Sequence, residues 1–514
     1  MAAIDSPLTY LFAALPILIV LGLMLLKRWD GQRAGIAGLL SGVVIGVLIF
    51  GLNLDVLWVA LAKGLLLAIF VLAVLWPALL LYNLASSASG IHSMARYLEF
   101  LIHDHGLLLV VLAWAFSGML EGLAGFGLPI AIVAPMLVAL GVAPVTAVAA
   151  VAVGHAWAIT FGDMGVIYQT LIAVTHLDSA ALAPYTALLL GVACVGCGLA
   201  TMHLLGYRDK WRTVVVLGLL MSAAQYLSAI AHLTSIAALI AGAVGIVAAV
   251  FISRWQHTAP AIAKAASAQV ICPSLIATLA IYGGLTALLV ATICIQPVYD
   301  LLNTVSWQAR FPSVATLTGF VTPAGTSTSF RPFTHPGSAT LLVFVVGYIG
   351  FRRAKLLKST CWRPILATTW RAAVPATVSI IAMVCLSMIM EYTGMTMLLA
   401  RGLSTVLGLL FPLVSPLVGI LGAFATGSNN NSNVLFAPLQ LNVAELLGFL
   451  PAVLVAAQTT GGALGSMVAP AKLVVGCSTV GLEGRDGEVL RQTIRYIIPI
   501  DLVVGVLALL LCLL

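Results

Sequence analysis

Charge is scarce in this chain. Only 8% of its 514 residues are Asp, Glu, Lys or Arg, 62% are hydrophobic, and the mean hydropathy is +1.15. A soluble globule of this length must wet its surface with far more charge, so a soluble fold is excluded and the chain reads as an all-α polytopic membrane protein. Acids are scarcer than bases, 16 against 23. In a soluble protein the resulting +7 would point to nucleic acid; here the cations sit in short loops between apolar runs, where they set membrane orientation, and no nucleic-acid partner is expected. The eight cysteines lie mostly inside apolar runs, with no metal-like grouping with histidine, and packing accounts for Cys194 and Cys197 in their apolar helix. No metal and no cofactor is expected. Also missing are a GxxxxGK[ST] phosphate loop, a soluble stretch long enough for a nucleotide-binding cassette, an HExxH motif and a nucleophile elbow. ATP-driven transport and membrane-embedded catalysis are therefore poorly supported, and no catalytic residue is assigned.

What is abundant is hydrocarbon. Crossing a bilayer core about 30 Å thick takes about 20 apolar residues of helix. Runs of that order cover 8–26, 34–52, 57–84, 183–205, 213–231, 234–253, 271–295, 372–390 and 494–514; shorter or interrupted ones lie at 106–118, 128–143, 145–160, 337–351, 404–421, 434–441 and 447–464. They predict about 12 to 14 spans, some of them re-entrant. The cations from Lys27 to Arg33, at Arg96, from Arg208 to Arg212, Arg254 to Lys264, Arg352 to Arg371 and Lys472 to Arg495 fall on one face along this path. Only Asp5 precedes the first run, which predicts an outer amino terminus and no cleaved signal peptide.

Two polar, glycine-rich strips interrupt the hydrocarbon. Strip one is Glu121 to Pro129 (EGLAGFGLP), continued by GHAWAITFGDMG from Gly154 to Gly165; strip two is Ala425 to Asn433 (ATGSNNNSN), continued by QTTGGALGSMVAP from Gln458 to Pro470. One constant offset places Ala134-Pro135 on Ala437-Pro438, Gly162 on Gly465 and Met164 on Met467, and SGIHSMARYL from Ser89 resembles TGMTMLLARGL from Thr393 at nearly the same offset. The run 34–52 leaves the basic face, whereas its counterpart 337–351 ends at Arg352 and Arg353, so the halves run in opposite directions. Inverted repeats with interrupted helices mark secondary transporters. The expected organisation is repeat one over 1–205, with a transport segment at 106–170; a connecting membrane insertion over 206–309; and repeat two over 310–514, with a transport segment at 404–472. Residues 306–336 are either an external loop or a re-entrant piece.

An unpaired backbone amide in hydrocarbon costs several kcal/mol, so these glycines suit buried helix breaks. A break at Gly125, Phe126 and Gly127 frees N–H groups at the start of a half-helix, whose positive dipole end holds a carboxylate without arginine. The mirrored break offers Thr426, Ser428, Asn429, Asn430, Asn431, Ser432 and Asn433 as donors for a small hydroxylated anion or as oxygens for a cation. The alternative reading is a close helix contact with an N-cap cluster. Thr160, Thr459, Thr460 and Ser466, about thirty residues beyond the breaks, return to the same depth and complete the site. A carboxylate near the bilayer centre costs roughly 2.5–3.5 kcal/mol, and burial favours its neutral form; a group neutral when alone and charged when paired can carry a proton. Glu121 and Asp163 are the coupling candidates, each also able to cap a broken helix, and His155 is either a third or a packing residue. Arg96 and Arg401 read as repeat-related interfacial anchors, and Lys472 reads as a topological charge in preference to a substrate-facing one.

These strips resemble the L-lactate permease family: EGLAGFGLPIAIVAP as a first signature, ATGSNNNSNVLFAPLQ followed by TTGGALGSMVAP as a second, with the likeness continuing through GLEGRDGEVLRQTIRY before the last run. The resemblance implies a proton-coupled symporter of lactate, glycolate or similar 2-hydroxymonocarboxylates in the plasma membrane. It further implies kinship with elevator-type transporters, which slide a hairpin-bearing domain past a scaffold, often as homodimers. The chain departs from the family pattern at Asn429, where an acid is common, and at His155 and Asp163. Sodium held by the oxygens of residues 428–433 is the alternative to the proton, and a channel or an enzyme is a less favoured class.

Overall fold

The computed structural model describes residues 6–27, 29–125, 127–256, 272–357, 361–482 and 485–513, apart from the side chains of Ala95 and Ala471. Asp5, Phe126 and the basic loop that contains Lys264 lie outside the described residues. Among the described residues thirteen helices are long and apolar enough to cross a membrane, within the range the apolar runs predict.

The first half opens with α1 (Pro7–Lys27), α2 (Gly31–Ile49) and α3 (Leu54–Ser87). Side-chain caps start them where the sequence turns polar. Asp30 accepts from Arg33 N at 2.8 Å and Asn53 accepts from Val56 N at 2.9 Å, each satisfying an amide that the first helical turn leaves free. Next comes the amphipathic α4 (Gly90–Leu101), too short to span and with Arg96 exposed, a geometry that suits the membrane interface. The buried α5 (His105–Leu123), with a π-turn at Leu112–Phe116, leads to the first strip. There follow α6 (Leu128–Ala139), α7 (Pro144–Gly154), α8 (Val166–Thr175) and α9 (Ser179–Leu205).

Between the halves stand α10 (Trp211–Ile230), α11 (Ala237–Gln256), α12 (Pro273–Cys294) and the short α13 (Gln296–Leu302). The second half repeats the order of the first: α14 (Pro336–Arg353), α15 (Trp362–Tyr392), the amphipathic α16 (Met395–Leu407), α17 (Phe411–Thr426), α18 (Asn429–Leu447), α19 (Pro451–Met467), α20 (Pro470–Thr479) and α21 (Asp486–Leu513). Prolines at the start of α7, α14, α19 and α20 fit the first helical turn, where their missing N–H costs nothing.

Glycine contacts give the direction of each half. Along α2, Gly31, Gly35, Gly38 and Gly46 face Ser379, Ala382, Leu386 and Thr393 in rising order, so α2 runs parallel to α15. Along α14, Gly337 faces Ala73 and Gly347 faces Leu84, so α14 runs parallel to α3. Helices α3 and α15 are antiparallel, since Gly64 meets Cys385, Trp76 Nε1 donates to Thr377 Oγ1 at 3.2 Å and Asn83 Nδ2 donates to Thr369 Oγ1 at 2.9 Å. Helix α2 is therefore opposed to its counterpart α14, and α3 to α15. The inversion is a property of the packed helices. Packing is reciprocal as well: α2 on α15 answers α14 on α3, α9 on α19 answers α21 on α7, and α8 on α18 answers α20 on α6.

The chain is not helical throughout. Residues 306–336 hold two short antiparallel ladders, β1 (Arg310–Phe311) with β4 (Gly325–Thr326) and β2 (Val314–Ala315) with β3 (Val321–Thr322). They cover the α2–α3 turn, where Leu317 N donates to Gly51 O at 2.8 Å and Asn53 Nδ2 donates to Ala315 O at 2.9 Å. Of the two readings left open for this segment, the surface loop is the one found, and these two-residue strands sit on an otherwise all-α fold. Pro312, Gly319, Pro323 and Gly325 break any helix, and Thr316 Oγ1 accepts from Phe320 N at 3.0 Å within the turn between the strands.

Candidate functional site

Four helix breaks converge on one cavity. The first separates α5 from α6, with Gly127 in the left-handed region at φ 81°. Here Gly125 N donates to Asp163 Oδ1, and a Cβ on Gly125 would collide with Glu121 Oε1 and both Asp163 oxygens; the strip needs glycine because two carboxyl groups press on its backbone. The second separates α17 from α18 at Gly427, φ 71°, with Ser428 as the cap that accepts from Asn431 N at 3.4 Å. The third lies between α7 and α8, where Asp163, Met164 and Gly165 are consecutive left-handed residues at φ 51°, 55° and 81°. Two such residues with side chains carry backbone strain, which gathers at functional sites. The fourth separates α19 from α20 before Pro470.

The cavity measures about 320 Å³ and is lined by Glu121, Gly127, Asp163, Lys472 and the stretch Thr426 to Asn431. Asp30, Gly31, Gln32, Leu75 and Ser379 also line it. Asp30 is largely exposed and belongs to the cation-bearing loop that opens α2, so the cavity opens on the basic face.

A buried amide and hydroxyl network ties the breaks together. Asn429 Nδ2 donates to Thr160 Oγ1 at 3.1 Å and to Thr459 O at 3.2 Å, the hydroxyls of Thr160 and Thr459 lie 3.1 Å apart, and Asn433 Nδ2 donates to Thr459 Oγ1 at 2.8 Å. Asn431 Nδ2 reaches across to Ser379 Oγ on α15 at 3.0 Å. Asn430 is 6% exposed, lines the cavity, and has no protein partner for either side-chain polar atom; Asn429 Oδ1 and Asn433 Oδ1 are likewise unpaired. Buried polar atoms are nearly always satisfied, so Asn430 is aimed at something the protein does not supply.

The candidate residues divide accordingly. Glu121, Gly127, Asp163, Thr426, Ser428, Asn429, Asn430 and Asn431 line the cavity, with Gly125 against both carboxyl groups and Thr160 and Thr459 in the network behind. Ser432 Oγ donates to Gly419 O at 3.0 Å and accepts from Gln458 Nε2 at 3.1 Å; Thr460 Oγ1 donates to Ala456 O of its own helix at 2.8 Å. The Ser432 hydroxyl ties α18 to α17 and α19, the Thr460 hydroxyl turns back on α19, and neither residue lines the cavity. His155 uses Nδ1 on Val151 O at 2.5 Å, and its Nε2 lies 3.9 Å from Glu121 Oε2, with no hydrogen-bond partner for either of these last two atoms. Because a carbonyl only accepts, Nδ1 carries a proton, which leaves Nε2 of a neutral ring as an acceptor turned towards Glu121.

Lys472 is the residue that the sequence reading placed elsewhere. Its Nζ donates to Ser466 Oγ at 2.9 Å, and among the described residues it is the one cation lining the cavity. The signal was its position two residues after Pro470, directly beyond the fourth break. Topological loop charges occupy the same kind of position, so spacing alone did not separate the two.

An inverted duplication of apolar helices, broken four times around a polar cavity, defines a polytopic membrane transporter, and it is not an enzyme. The chain belongs to the L-lactate permease family, whose sequence profile matches residues 9–514; it is a multi-pass membrane protein, in bacteria one of the plasma membrane. It is 26% identical over 551 residues to the glycolate permease GlcA of Escherichia coli K12, covering 98% of this chain and 95% of that one. Similar relatives are the L-lactate permeases of Salmonella typhimurium LT2 (26% over 531 residues, covering 97% and 95%) and Bacillus subtilis 168 (25% over 532 residues, covering 95% and 93%). Among solved structures, the Alcanivorax borkumensis YdaH transporter aligns at a TM-score of 0.47 and 16% identity over 86% of this chain and 84% of that one.

Proposed function

We propose that the chain carries lactate, glycolate or a similar small 2-hydroxymonocarboxylate across the membrane together with a proton, by alternating access. The observation that carries this reading is the unpaired Asn430 amide in one cavity with two buried carboxyl groups, Glu121 and Asp163. An amide offers a donor to a carboxylate and an acceptor to a neighbouring hydroxyl, the two groups that a 2-hydroxy acid sets side by side. The carboxyl groups supply the proton site. The left-handed glycines of the first two breaks leave backbone N–H groups at helix starts, a second source of anion affinity. Family relatives named for lactate and glycolate support the substrate class.

In this reading residues 1–205 and 310–514 are the two repeats, and 206–309 belong to the scaffold. The opening on the basic face, which the positive-inside rule places in the cytoplasm, corresponds to an inward-open state. Sodium is the second reading, favoured by the free oxygens of Asn429, Asn430 and Asn433. Uptake of labelled L-lactate into proteoliposomes, with choline replacing sodium and with unlabelled glycolate as competitor, tests both. The proposal expects uptake indifferent to choline and suppressed by glycolate; uptake abolished by choline would replace the proton with sodium, and no lactate uptake at all would overturn the substrate class.

A further inference from the structure

We propose that Lys472 is the cation that receives the substrate's carboxylate, and that the Glu121–Asp163 pair yields its share of that charge by taking up a proton. The inference rests on the function proposed above and extends it to the origin of coupling. Lys472 is partly buried at the start of α20 and faces the cavity. An ammonium has three donors; Ser466 Oγ takes one at 2.9 Å. Glu121 and Asp163 act on it through space, with no carboxylate oxygen within the 4.0 Å of an ion pair among the described residues. Two donors thus remain for a ligand beside the unpaired amide of Asn430.

Charge balance supplies the coupling. A buried charge without a counter-charge is costly, and two close carboxyl groups titrate as a pair. In the empty site one ammonium faces two carboxyl groups, and a single proton shared between them leaves the cluster neutral. When a monocarboxylate occupies Lys472, the remaining ionised carboxyl loses its counter-charge, and a second proton from water restores neutrality. Each anion thereby brings one proton. Nearby titratable groups do not replace this balance. His155 presents only Nε2 to Glu121, and Asp30 is largely exposed. On α21, which packs on α20, Asp486 is half-buried but does not line this cavity, and Glu488 is already paired with Arg485 at 2.7 Å.

Isothermal titration of the purified full-length protein, in two buffers of different protonation enthalpy, counts protons taken up on binding. L-lactate should bring in about one proton per molecule bound, whereas lactamide, its neutral counterpart, should bind with none. Lys472→Met should weaken lactate binding by ~30-fold or more, as expected when one partner of a buried charge pair is removed, while leaving lactamide binding little changed; Lys472→Arg should restore lactate binding in part. Glu121→Gln combined with Asp163→Asn should bind lactate without proton uptake. Lys472→Met binding lactate as tightly as the unaltered protein, with its proton, overturns the role of Lys472 alone. Proton-free binding of lactate to the unaltered protein overturns the coupling scheme without any variant having to fold. Failure of the unaltered protein to bind either lactate or glycolate overturns the proposed function, and this inference with it.

Discussion

Glu121, Asp163 and Lys472 are three charged side chains in a sequence that has few, and each lines one cavity. The two acids were legible because a carboxylate deep in hydrocarbon is too costly to keep without a use. The lysine was not, because a cation at the end of a span serves topology just as well. Gly125 is the residue on which the acids depend for space: Gly125→Ala drives a methyl group into Glu121 Oε1 and the Asp163 oxygens. An overpacked site of this kind costs about 1–3 kcal/mol, so the variant should melt at a lower temperature and lose uptake, as differential scanning fluorimetry and a transport assay will measure. Asn430→Ala removes an amide that satisfies nothing in the protein. It should leave the melting temperature unchanged while raising the apparent substrate KM by about tenfold or more, the value of a hydrogen bond to a charged group. A fall in stability with KM intact would reassign Asn430 to structure.

At the scale of elements, breaks were easier to read than contacts. Glycine clusters inside apolar runs located the ends of α5 and α17, because a helix facing lipid tolerates neither flexible nor unpaired backbone. What the sequence did not reveal is which hydroxyls point inward. Thr459 joins the network and Thr460, one residue on, turns back to its own helix, a difference of about 100° in helical phase. The β-ladders over the α2–α3 turn were also ambiguous, since strands of two residues leave no period to detect. Helices α17 and α19 approach backbone to backbone: Gly461 faces Pro416, Gly419 faces Gln458 and Gly465 faces Ile420. Small residues permit such contact between membrane helices. Gly461→Leu should therefore force these two helices apart, seen as loss of folded protein in detergent, whereas Gly283→Leu, at a glycine with open space around it, should be tolerated. Equal tolerance of both would contradict the packing described.

For the molecule as a whole, the duplication was visible as an offset between two strips and its inversion as the side on which Arg352 emerges; the packing of α2 on α15 and of α14 on α3 carries the same relation into three dimensions. If the hairpin-bearing helices slide past the scaffold, Asn431 on α18 must part from Ser379 on α15, now 3.0 Å away. Cysteines at both positions, cross-linked by oxidation, should hold the carrier in one state and stop uptake, and reductant should restore it. Undiminished uptake by the cross-linked protein would rule out relative motion at this contact. The most direct measurement of the central claim is accumulation of labelled lactate in proteoliposomes under an imposed pH gradient, acid outside. The cavity described here predicts accumulation above the external concentration, abolished by a protonophore; lactate that merely equilibrates, at the same rate with and without the gradient, would contradict it.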